Sequence, residues 1–183
     1  MRSLRNFYFL RAIAAFAWVA LAFLLAAAPV PVVGTLLVIY PAWDALANMI
    51  DARRSGGLQV NPGQKFNAVT SIVTAVCMAV AFALHGNGGG VLVFGVWALL
   101  AGLFQLAVGI RRRKLGGQVF MMISGTQSAL AGVFFAVKSF GAAPTIAQLA
   151  PYAAFGGVYF LLSALWLTFK HKRTDAAVDT PAR

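Results

Sequence analysis

Six apolar runs, each about long enough to cross a bilayer and each set off by a turn or a basic cluster, constrain this chain more than any motif it carries. A spanning helix needs roughly 20 mostly apolar residues at about 1.5 Å rise each. The runs predict helices at about 7–28, 32–50, 67–84, 91–110, 118–137 and 152–169. Pro29 and Pro31 break the first from the second, which makes them a tight helical hairpin. The segment 51–66, with Arg53, Arg54, Gly56, Gly57, Pro62 and Lys65, reads as the longest polar connection. His85 to Gly90 reads as a glycine-rich turn, 139–151 as a mildly polar external loop, and 174–183 as a disordered tail. The expected class is therefore an all-α polytopic membrane protein, one six-helix domain over 1–173.

Composition agrees. The 183 residues are 61% hydrophobic and 10% charged, against about 45–50% and about 25% in ordinary globular domains, so a soluble fold could not hide this much apolar surface. The charge is lopsided, with 15 Lys or Arg against 4 Asp and a net charge of +11. Such an excess can mark a nucleic-acid-binding face, but here the bases lie between apolar runs, the positive-inside pattern of membrane topology. Of the 15 bases, 13 fall on one side of the six-helix threading, Lys138 is alone on the other, and Arg11 lies inside the first helix. That distribution places both termini in the cytoplasm and predicts contact with anionic headgroups there, with no nucleic-acid partner. A cleavable signal peptide competes for the start, since Arg2 and Arg5 precede an apolar stretch ending in Ala26, Ala27 and Ala28; Pro29 just after the cut and the length of the run favour an uncleaved helix.

Aligning the even helices on Tyr40, Trp97 and Tyr159 brings three hairpins into one frame, each followed by a basic cluster, so the chain reads as three copies of a two-helix unit. Two-helix units keep their orientation, unlike the inverted repeats of many alternating-access transporters. Small residues at three-, four- or seven-residue spacing predict close helix contacts: Ser71, Ala75, Ala79 and Ala83; Gly95, Gly102 and Gly109; Gly125, Ala129, Gly132 and Ala136. Packing within the chain is the expected use of these faces, with a homo-oligomer or another membrane protein as the alternative.

Two charges inside the spans carry most of the functional signal. Arg11 and Asp44 would each cost roughly 2.5–3.5 kcal/mol at mid-helix unless paired, hydrated or led out to the surface. A mutual ion pair is one solution, although Asp44 is about 7 Å less deep than Arg11, measured from the proline turn at the helical rise. In the other, Arg11 reaches the cytoplasmic headgroups and Asp44 is satisfied by Asn48, Trp43 or water. Asn48, Gln105 and Gln127 are candidate polar helix contacts, and a pore lined by Gln105, Gln127 and Thr70 is a further option. Cys77 reads as a small buried hydrophobe, and His85 and His171 lie on opposite sides, too far apart to share a metal. No catalytic constellation, metal-ligand cluster or phosphate-cradling loop is visible, so neither enzyme activity nor a cofactor is expected.

The hairpin frame resembles the HdeD-like family of small six-helix bacterial inner-membrane proteins. The resemblance lies in Arg11-Ala12 on the first helix, in Tyr40 through Asp44-Ala45 on the second, and in the run from Trp97 to Gln105 before a basic cluster on the fourth. Ala stands where the family pattern has Gly at Ala12 and Ala45. The resemblance implies a non-enzymatic inner-membrane protein of acid or envelope stress tolerance. The residues themselves leave open a small oligomeric transporter or channel using Asp44 and Arg11, or an assembly partner of another membrane complex.

Overall fold

The computed structural model describes residues 2–111, 113–115, 118–141 and 144–178. Five α-helices follow one another: α1 (Arg2–Leu24), α2 (Val30–Arg54), α3 (Pro62–Arg111), α4 (Val119–Lys138) and α5 (Ala150–Val178), with 3-10 turns at Arg113–Leu115 and Ile146–Leu149 and no strand among the described residues. Among the described residues, four helical stretches, Leu4–Leu24, Val30–Arg54, Pro62–Arg111 and Ile146–Phe169, are long and apolar enough to cross a membrane. Only 17–33% of each stretch is buried, so its apolar side chains mostly face outward. Val69, Val76, Leu162 and Trp166 are among those exposed, a surface that water does not tolerate in contiguous patches.

The expected count of six helices is corrected to five, because 85–90 is helical on both sides of one residue. Only Gly86, at φ 57 and ψ −142, leaves the helical region, so the third and fourth expected helices run into each other. That residue nevertheless reverses the chain. A Cβ on Gly89 would lie 2.2 Å from the Ala81 carbonyl oxygen, whereas eight residues of straight helix would separate them by about 12 Å. Farther along, the Phe66 and Phe104 rings stack at 4.0 Å between centroids. Thus α3 is a pair of antiparallel arms, 62–85 and 87–111, turning on a backbone conformation open to glycine alone. The fifth expected helix is α4, 20 residues long and apolar apart from its central Ser124, Thr126, Gln127 and Ser128.

Other boundaries follow local chemistry. Pro31 sits in the first turn of α2, where its missing N–H costs nothing, and the Pro29 carbonyl accepts from the Val32 and Val33 amides. Asn61 closes the α2–α3 connection by donating to the Ser55 and Gly57 carbonyls, at 2.8 Å each. Helix α5 runs on to Val178, through part of the segment expected to be disordered; residues 179–183 lie outside the described residues.

The chain divides into two compact units. The first, Met1–Ala20 with Ala150–Arg183, packs α1 against α5: the Phe16 ring lies 3.1 Å from where a Gly157 Cβ would stand. The second, Leu21–Leu149, holds α2, α3 and α4. Its α2 runs antiparallel to the first arm of α3, with Phe82 seated on Gly34 at one end and Gln64 bonded to Asp51 at the other. Phe94 is fully buried among Tyr40, Trp97 and Phe135, with centroids 5.4–5.9 Å away.

Within this unit the second arm of α3 meets α4 backbone to backbone. Gly95 and Gly102 face Gly132, Ala136, Gly125 and Ala129, and Gly109 receives the Met122 side chain: a Cβ on Gly102 would lie 2.3 Å from the Ala129 amide nitrogen, and one on Gly132 2.4 Å from that of Leu99. The seven-residue spacing keeps the glycines on one seam, as the sequence suggests, and both faces are used inside the chain. The expected Ser71, Ala75, Ala79, Ala83 stripe is corrected: Ala79 and Ala83 are exposed, and the arm buries Ala68, Ser71, Thr74, Met78 and Phe82 instead. Cys77, expected to be buried, is exposed, because it lies about 100° around the helix from Met78. Replacing Gly102 with Val should force the helices apart and cost on the order of 3 kcal/mol, whereas Gly63→Ala, with nothing within 4 Å of the new Cβ, should change stability by less than about 1 kcal/mol. Thermal unfolding of both variants in detergent checks this.

Candidate functional site

A polar cluster on α2 and the first arm of α3 is the most chemically distinct feature among the apolar helices. Asp44 Oδ2 accepts from Ser71 Oγ at 2.8 Å and from Asn48 Nδ2 at 3.0 Å. Asn48 Nδ2 also donates to the Asp44 carbonyl at 2.8 Å, which locks the two side chains along one helix face at i and i+4. Ser71 and Asn48 are buried, and Asp44 is half-buried. One carboxyl oxygen therefore serves two donors from two helices, and the bond from Ser71 ties α2 to α3 across 27 residues of sequence. Pro41, buried three residues before Asp44, cannot donate to the carbonyl of residue 37, so the backbone ladder is interrupted one turn away.

Of the sequence-based candidates, Asn48 is brought to Asp44, one of the three partners offered for it, and Ser71 joins them as a donor from the neighbouring helix. Arg11 belongs to the first unit and Asp44 to the second. In its own unit the Arg11 guanidinium lies over the Phe160 ring, 4.1 Å from its centroid, and Tyr8, one turn earlier on α1, stacks on that same ring at 6.3 Å. A cation over an aromatic face gains about 0.5–2 kcal/mol, more where water is excluded. Phe160 was not singled out by sequence; the only available signal was an aromatic on the last helix.

Of the candidate pore residues, Gln127 lines a shallow groove of α4 with Met122, Ile123, Thr126 and Leu130. Interhelical bonding does occur at Ser128, whose Oγ donates to the Ala98 carbonyl at 2.9 Å within the glycine seam. His85 is exposed at the apex of the α3 reversal, and the side chain of His171 lies outside the described residues. Among the described residues no group of three or more His, Cys, Asp or Glu could hold a metal.

No family model, curated protein or solved structure matches this chain. The Asp44 cluster is thus defined by its own geometry: a half-buried acceptor among apolar helices, met by donors from two of them and so able to join them. Ser71→Ala should cost about 0.5–1.5 kcal/mol by removing the donor from the neighbouring helix while Asn48 still serves the carboxyl, and in a double-mutant cycle with Asp44→Ala the coupling should be roughly 0.5–1.7 kcal/mol. Unfolding in mixed micelles measures both.

Proposed function

We propose that the chain is a multi-pass bacterial inner-membrane protein that crosses the bilayer six times with both termini in the cytoplasm, and that it serves acid or envelope stress tolerance without catalysis, in the HdeD-like manner. The observation that carries the membrane reading is the reversal at Gly86: each arm of α3 is about 36 Å long, enough for a hydrocarbon core of about 30 Å, whereas one straight helix of 50 residues would be about 75 Å. The charges of the second unit support the orientation. Arg53, Arg54, Lys65, Arg111, Arg113 and Lys114 lie at the end away from Gly86, and Lys138 lies at the Gly86 end, where the Ser139 carbonyl oxygen is 3.1 Å from a Cβ position on Gly88.

The stress assignment rests on the resemblance in Arg11-Ala12, Asp44-Ala45 and the run Trp97 to Gln105. In that reading Asp44 is a joint between helices. A second reading, a small transporter or channel, is favoured by the half-buried carboxyl at membrane depth.

In a Cys77→Ser background, a membrane-impermeant maleimide should label Asn87→Cys from the periplasmic side and Gln59→Cys only after the membrane is opened. Labelling of Gln59→Cys in intact cells overturns the orientation. Acid challenge of a deletion strain should lower survival, and both wild type and Asp44→Ala should restore it if the carboxyl is a joint. Wild-type proteoliposomes that pass protons or cations, with flux lost in a folded Asp44→Ala protein, would establish the second reading instead.

A further inference from the structure

We infer that the basic end of the α2–α3–α4 unit is a binding surface for anionic phospholipids, with the charged headgroup on its Lys and Arg side chains and the acyl chains along the first arm of α3. This rests on the membrane reading above and on the contact with anionic headgroups expected from the sequence, and adds to them a defined site that takes both head and acyl chains.

Three contacts assemble the surface. The 3.2 Å bond from Gln64 to Asp51 folds the start of α3 back beside the end of α2, which sets Arg53 and Arg54 near Lys65. The Phe66–Phe104 stack fixes the register of the two arms, and continuing that register puts Arg111 level with the α2–α3 connection. The 3-10 turn after Arg111 then adds Arg113 and Lys114. All six basic side chains are exposed. Asp51 is the one acid in this part of the sequence, and its Oδ2 already accepts from Gln64. Positive charge is therefore concentrated at this end of the unit.

An apolar surface begins directly beneath it. Phe66, next to Lys65, is followed by Val69, Val73 and Val76 on one helical face, exposed by 38, 53, 55 and 61%. A cationic rim over an exposed apolar stripe complements an amphiphile with an anionic head and acyl tails. A soluble phosphate would use only the rim, which is why the lipid is the occupant. Each base near such a surface strengthens attraction, and the attraction is screened by salt.

The test uses the purified full chain in neutral detergent, with native mass spectrometry counting bound phosphatidylglycerol or phosphatidylcholine and soluble glycerol phosphate as the headgroup control. Wild type should retain the anionic lipid about tenfold better than the zwitterionic one, and about 0.5 M salt should erase most of the preference. The combined variant Arg53→Gln, Arg54→Gln, Arg111→Gln and Arg113→Gln should cut it at least about threefold, and Lys138→Gln, at the other end, should leave it intact. The altered side chains are exposed, and an unchanged thermal midpoint verifies that the variants fold. Equal retention of the two lipids by wild type, a preference unchanged in the combined variant, or equal competition by glycerol phosphate overturns the inference. A chain that requires detergent yet shows no lipid preference leaves the membrane reading standing; a chain released from membranes without detergent fails that reading itself.

Discussion

Two helices in lipid gain little from hiding apolar side chains from each other, so how closely their backbones approach decides how well they hold. The seam between the second arm of α3 and α4 takes that approach to its limit. Glycines at 95, 102, 125 and 132 leave main-chain atoms where side chains would otherwise stand, and Ser128 adds a hydrogen bond to the Ala98 carbonyl in the same seam. With α4 fixed in this way, Phe135 is carried against Phe94, and Phe94 in turn against Tyr40 of α2. Large rings fill the space where the helices diverge, and small residues line the seam where they touch.

The joint between α2 and α3 is built differently. Phe82 fits the gap left by Gly34, and the polar bond between Ser71 and Asp44 lies farther along the same contact. A carboxyl group among apolar helices is costly unless donors meet it, and here one donor comes from its own helix and one from the neighbour. The cluster works as a register mark: sliding α2 by one turn would break the bond between Ser71 and Asp44 while leaving Asn48 on the carboxyl.

Much of this was legible in the sequence where the determinants are local or periodic. Pro29 and Pro31 set the α1–α2 break, and the seven-residue glycine spacing identified a seam that the structure places inside the chain. What could not be read depends on residues far apart. Ser71 and Asp44 are 27 positions from each other, and Arg11 meets Phe160 across almost the whole sequence. The outward placement of Cys77, Ala79 and Ala83 was missed because, on a helix rich in alanine and valine, small size marks no single face. The run His85 to Gly90 has the composition of a loop, yet glycines next to a reversal can also finish the helices that flank it, and only Gly86 departs from them.

A turn made by one residue leaves no spare chain. The two arms of α3 cannot slide past each other by taking up slack at the apex, so an axial displacement of one is passed to the other. The first arm carries Ser71 against α2 and the second carries Gly102 against α4. The polar joint and the glycine seam, which share no atom, are thereby geared together, and a push on either face of the hairpin is felt at the opposite one.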